Sequence, residues 1–156
     1  MTDATSGQKT HEAMAIAFEE ARAAGARGEV PIGVAIVRDG LVIARAGNRS
    51  IEKDDPTAHA EMLAIREAAA VIGSQRLSGA DLYVTLEPCA MCAAAISFAR
   101  LRRLYFGATD PKGGAVESGV RFFAQPTCHH APEVYGGIAE SAAAILLRDF
   151  FKQTRS

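Results

Sequence analysis

A chain of 156 residues with 49% apolar and 22% charged side chains has the apolar content for one ordinary core, which excludes an extended disordered polymer. Seventeen Lys and Arg against eighteen Asp and Glu give a formal charge of −1, so a wholly basic nucleic-acid-binding surface is excluded and any polyanion site must be local. Three cysteines, Cys89, Cys92 and Cys128, are too few and too unevenly spaced for a secreted disulfide framework, and no apolar run approaches the roughly 18–20 residues of a membrane span.

The N-terminus MTDATSGQKT has no basic segment followed by an apolar one. We therefore expect a cytoplasmic protein with a disordered head over residues 1–10 and a single domain over 11–156. From His11, apolar Met14, Ile16, Ala17, Phe18, Ala21 and Ala24 recur at a period near 3.6 until Gly25 and Gly28, which predicts an amphipathic helix with a glycine stop. PIGVAIVRDGLVIARAG (31–47) places two β-rich runs around Asp39-Gly40, the signal for an antiparallel hairpin. NRSIEKDDPT is polar and carries Pro56, so it reads as a loop; a second helix follows from about His59, with Met62, Ile65, Ala69 and Ile72 along one stripe.

LYVTL (82–86) predicts a strand, AMCAAAISFAR a third helix and RRLYFGA another strand, a succession that calls for a parallel crossover. DPKGGAVESG is a glycine-rich loop, GVRFFA a short helical turn, PEVYGG a last strand, and the segment from Ile138 a terminal helix with Ala142, Ile145, Leu146 and Phe150 at helical spacing. The expected class is α/β, a mixed sheet with helices on both faces.

The chemistry concentrates at PCAMC (88–92). Pro88 suits the first turn of a helix, and Cys89 and Cys92 at i and i+3 project from one face of it. Unpaired amides at a helix start favour thiolates, which bind a soft cation such as zinc. Plain burial and a thioredoxin-like redox pair are the competing readings of the two cysteines alone. Two sulfurs do not complete a zinc site, and His59, 30 positions before Cys89, is the first candidate for a third ligand. Glu61 lies two residues further on; side chains two apart on a regular helix diverge by about 200°, which predicts a division of labour in which His59 binds metal and Glu61 handles protons. A closed structural site would instead recruit Cys128, His129 or His130.

HAE (59–61) joined to PCAMC is the H-x-E…P-C-x-x-C pattern of zinc-dependent nucleobase deaminases. Over a longer span, about Gly28 to Lys152, the chain resembles the bacterial tRNA adenosine deaminases, in GEVPIG (28–33), GNRS (47–50), DPTAHAE (55–61), LYVTLEPCAMCAAAI (82–96), FGATDPKGGA (106–115) and LLRDFFK (146–152). That resemblance implies a three-layer α/β/α cytidine-deaminase-like fold with a sheet of about five strands. It implies one zinc ion per subunit on His59, Cys89 and Cys92, with Glu61 as proton shuttle and Asn48 bonded to the target base. Ala60, Asp110, Lys112 and Phe151 would also meet substrate. It further implies a homodimer that converts the wobble adenosine of a tRNA anticodon to inosine. The same motif serves deaminases of free guanine, cytosine or nucleosides, and a zinc-stabilised RNA-binding module without turnover is the alternative of a different class. Arg100, Arg102, Arg103, Lys112, Arg148, Lys152 and Arg155, with Phe150 and Phe151, could hold a splayed RNA loop through phosphates and stacking, although such charges are often solvated surface and Phe150 is expected in the core. Where many members carry an Asn-His-Arg run, this chain has CHHA (128–131), and so lacks an arginine there.

Overall fold

A computed structural model describes residues 6–154. Its elements in chain order are α1 (Ser6–Ala26), β1 (Gly33–Arg38), β2 (Leu41–Gly47), α2 (Ala60–Ile72), β3 (Ala80–Leu86), α3 (Ala90–Phe98), β4 (Arg103–Ala108), β5 (Glu133–Tyr135) and α4 (Glu140–Thr154), with a single 3-10 turn at Phe122–Ala124. The first helix thus starts at Ser6, within the expected ten-residue head; residues 1–5 of that head lie outside the described residues, as does Arg155.

The sheet runs in the order β2-β1-β3-β4-β5. β1 is antiparallel to β2 and β3, while β4 is parallel to both its neighbours, β3 and β5. Asp39 and Gly40 both take positive φ, 51° and 77°, as a two-residue turn twisted to match its strands requires. Two apolar clusters lie on opposite faces. Leu82 and Val84 of β3 pack with Ala60, Ala64 and Ala68 of α2 and Ala93 and Ile96 of α3, whereas Tyr83 between them packs with Met14, Ala17 and Phe18 of α1 and Ala143 of α4. The period-2 alternation of one strand therefore feeds both cores, which is why β3 reads as a continuous apolar run. The result is the expected three-layer α/β/α arrangement of five strands and four helices.

Small residues set the spacing between layers. A Cβ on Gly33 would collide with the Ala17 carbonyl oxygen and the Ala21 amide of α1, so the helix lies directly on the strand backbone. On α2 the innermost face is Ala60, Glu61, Ala64 and Ala68, and the expected stripe of Met62, Ile65, Ala69 and Ile72 is only half-buried around it. The correction has a packing cause: alanines allow a close approach that larger side chains then flank. On α4, Leu146 packs against the core as expected, as does Ile138 just before the helix, but Ala143 rather than Ala142 is buried, Ile145 is exposed and Phe150 is half-buried.

Candidate metal centre and active site

His59 and Cys89 occupy equivalent positions: each is the extended residue that caps a helix, α2 and α3 respectively, and neither uses its side chain to cap it. Pro88 consequently precedes the cap rather than entering the first helical turn, contrary to expectation. With their own caps unused, both side chains turn sideways toward one another. His59 Nδ1 lies 3.7 Å from Cys89 Sγ and 3.6 Å from Cys92 Sγ. Ligands of one tetrahedral zinc, with Zn–S near 2.3 Å and Zn–N near 2.0 Å, stand about 3.5 Å apart. The donor set of one imidazole and two sulfurs thus fits zinc, and it is the only group of three such ligands among the described residues.

Because His59 stands outside the helix, the angular divergence between it and Glu61 on a regular helix does not apply. Glu61, in the first turn of α2, is 4% exposed. Burial, and to a smaller degree the Cys89 charge, push its carboxyl up to about 7, while a hydrogen bond with Cys92 acts in the other direction. The Cys89 thiol is lowered to about 4, first by its hydrogen bond with Cys92 and then by His59; Cys92 is raised by the same contact and by burial. The hydrogen bond to Cys89 raises His59 against the effect of burial. Cys89 is the thiol that favours the charged form, at the amino end of α3 where helix amides stabilise it.

The orphan amide at the start of α2 is satisfied from a distance. Ala60 N donates to Asn48 Oδ1 at 2.8 Å, and Asn48 is itself buried. This bond fixes which end of the amide is oxygen and leaves Nδ2 as the donor available elsewhere. It also ties Asn48 to the residue following His59. Ala60 is fully buried and its N–H is engaged inside the protein.

Asp110, Lys112 and Phe151 do not join the metal cluster. They line a separate cavity of about 500 Å³ with Val30, Ile32 and Leu86. Asp110 Oδ1 accepts from the amides of Lys112 and Gly113, so its carboxylate shapes the glycine-rich loop. Cys128, His129 and His130 lie outside the cluster as well: Cys128 Sγ is 3.6 Å from Ser97 Oγ and 3.2 Å from the His130 carbonyl oxygen, and His130 Nε2 is 2.7 Å from the Leu101 carbonyl oxygen. Of the cations expected to face RNA, Arg102 is paired with Asp81 and Arg103 with Glu133.

Three buried carboxylates were not singled out from the sequence: Asp81, which pairs with Arg102, and two that anchor loops. Glu87, 2% exposed, accepts from the amides of Asp110, Val116, Glu117 and Ser118 and from Ser118 Oγ, at 2.8–3.0 Å. Burial disfavours its charge, but the donors from Asp110, Ser118 and Val116 outweigh it and hold the carboxyl below the usual range. Gly114 must lack a side chain here, since a Cβ would sit 2.5 Å from Glu87 Cδ. Glu29, equally buried, accepts from the amides of Ile51 and Glu52. Each of these two pins a loop beside the cluster: Glu29 the loop that leads to His59, Glu87 the loop that begins at Asp110. The signal in the sequence is a lone acid within an apolar, turn-rich stretch, GEVP and TLEP.

Residues 7–108 match the cytidine and deoxycytidylate deaminase zinc-binding region, and the chain belongs to that deaminase family. It is 67% identical over 148 residues to a tRNA-specific adenosine deaminase of Agrobacterium fabrum, covering 95% of this chain and 97% of that relative. It is 44% identical over 139 residues to a tRNA-specific adenosine deaminase of Bacillus subtilis, covering 89% and 86%. Among solved structures it superposes with a TM-score of 0.87, at 68% identity over 88% of this chain and 99% of the other, on a chain from a study of A-to-I editing by tRNA:A34 deaminases at the wobble position of transfer RNA. A guanine deaminase of Nitrosomonas europaea, with a TM-score of 0.75 and 23% identity over 96% of this chain and 86% of that one, shares the fold.

Proposed function

We propose that this protein is a zinc-dependent hydrolytic deaminase that converts the wobble adenosine of a tRNA anticodon to inosine and releases ammonia. The observation that carries the chemistry is the buried Glu61 carboxyl beside a His59-Cys89-Cys92 set spaced for one zinc per subunit. Identity of 67% to a relative named a tRNA-specific adenosine deaminase supports the substrate. Zinc held by this set supplies a Lewis acid that lowers the pKa of water toward neutrality.

A carboxyl poised near 7 both takes and returns protons at physiological pH. Glu61 accepts a proton of the attacking water on a carboxylate oxygen and delivers it to the purine N1; it then takes the proton of the new C6 hydroxyl and passes it to the amino group, which leaves as ammonia as the C6–N bond breaks and the C6 carbonyl forms. Burial keeps bulk water from competing for that proton. Asn48, its Oδ1 held by Ala60, presents Nδ2 to an acceptor on the base. Asp110, Lys112 and Phe151 around their cavity supply a cation and a ring for nucleotides flanking the target.

In this reading the protein acts in the cytoplasm as a homodimer. Val71 of α2 and Phe98 of α3, 62% and 75% exposed in the same helical layer, supply an apolar surface for a second copy. No helix among the described residues is long and apolar enough to cross a membrane.

The reading is tested by incubating zinc-loaded protein with an adenosine-wobble tRNA and sequencing the RNA. Inosine at the wobble position is the expected product; its absence, with ammonia released from free guanine or a nucleoside instead, would transfer the assignment to a small-substrate deaminase.

A further inference from the structure

A basic hollow lies away from the metal-binding end. A cavity of about 580 Å³ is lined by Arg76, Arg100, Arg102, Arg103, His130 and Glu133 among others. Arg76 follows the carboxyl end of α2, and Arg100 to Arg103 follow that of α3, whereas His59 and Cys89 cap the amino ends of those helices. At 1.5 Å per residue, the 13 residues of α2 put about 20 Å between the two places.

The charges within it do not cancel. Arg102 forms a two-pronged pair with Asp81 at 3.0 and 2.9 Å, and Arg103 binds Glu133 at 2.7 Å. Arg76 and Arg100 have no carboxylate partner among the described residues. Four guanidiniums against two carboxylates leave an excess of two positive charges in a chain whose formal total is −1.

Arg100 also occupies a position that is costly for it. α3 ends with Arg100 N donating to Ser97 O and Leu101 N to Ile96 O, the pattern whose left-handed residue is ordinarily glycine. α2 ends on such a glycine, Gly73 at φ 76°, but α3 is followed by Arg100 at φ 61°. Cations near helix carbonyl ends are expected on dipole grounds alone. Arg100 Nη1 donates to the His129 carbonyl oxygen at 3.5 Å, which leaves its charge without a counter-ion among the described residues. The dipole accounts for arginines in the neighbourhood, but not for an arginine where the backbone asks for glycine, beside a second guanidinium without a carboxylate and a hollow large enough for a phosphodiester. Arginine is the side chain whose planar fork matches phosphate oxygens.

We propose that this cavity is a second anion site, in which Arg76 and Arg100 hold a phosphate of the RNA sugar-phosphate backbone away from the metal-binding end. The inference rests on the RNA reading above and deepens it: part of the tRNA outside the target nucleotide is gripped by the opposite end of the helical layer.

The test compares wild type with Arg76→Ala/Arg100→Gly and with Arg100→Lys, by titrating full-length adenosine-wobble tRNA across a series of salt concentrations. The double variant should keep its zinc and melt no lower than wild type, because glycine suits φ 61°. Its tRNA affinity should fall about tenfold or more at low salt, and the slope of log affinity against log salt should shrink by one to two units; Arg100→Lys, which keeps the charge, should retain most of the affinity. An unchanged slope in the folded, zinc-loaded double variant overturns the inference. So does the opposite dissociation, in which inorganic phosphate raises the melting temperature of wild type but not of the double variant while tRNA binding is the same in both, because the site then serves a free anion. Failure of wild type to make inosine would refute the proposed function instead, and is read independently of the slope.

Discussion

Glu61 and Glu87 are both buried acids, and their environments drive them apart. Glu61 has burial dominant and one thiol partner, so its proton is held to about 7; Glu87 faces only donors, so it is held ionised. The first arrangement suits proton transfer and the second suits anchoring. Replacing Glu61 by Ala should lower turnover on tRNA by 10²-fold or more with zinc content intact, as measured by metal analysis beside the inosine assay. Replacing Glu87 by Gln turns one acceptor oxygen into an NH2 donor facing a ring of donors. We expect a loss of about 3 kcal/mol in denaturant unfolding and a higher KM for tRNA, because the loop from Asp110 to Ser118 loses its anchor. The His59-Cys89-Cys92 cluster was legible because residue type and spacing suit soft tetrahedral ligation. Glu29 and Glu87 were not, because a buried anchor is defined by amides that arrive from loops 22 to 31 residues away in sequence.

At the scale of elements, periodicity revealed each helix and strand, and Asp39-Gly40 gave the hairpin. Errors fell where small residues decide packing. On α2 the expected stripe used its largest side chains, yet the fold buries Ala60, Ala64 and Ala68, and on α4 the buried residue is Ala143 rather than Ala142. Hydrophobicity scores size, whereas layers in close contact select for its absence. The same principle sets the cost of Gly33→Ala. The added methyl would strike backbone atoms of Ala17 and Ala21 rather than a movable side chain, so α1 must lift from β1. We expect a destabilisation of about 2–3 kcal/mol, seen as a lower melting temperature with zinc content retained, since neither α2 nor α3 is touched.

Across the whole molecule, function is divided between the two ends of the α2 and α3 layer. Their amino ends converge on the metal-ligand cluster and their carboxyl ends open on the arginine cavity. A net charge of −1 conceals that division, because the local excess of cations is offset by acids distributed elsewhere. The outer face of the same layer carries Phe98 and Val71, 75% and 62% exposed. Phe98→Glu should convert a dimer to a monomer in analytical ultracentrifugation, and a wild type that sediments as a monomer contradicts the homodimer.

The central claim is an open tetrahedral site on His59, Cys89 and Cys92. X-ray absorption at the zinc edge of the loaded protein measures it directly. Two sulfurs near 2.3 Å with two nitrogen or oxygen atoms near 2.0 Å are the expected shell; a third sulfur, which would bring in Cys128, or a protein that deaminates tRNA at full rate with no zinc bound, contradicts it.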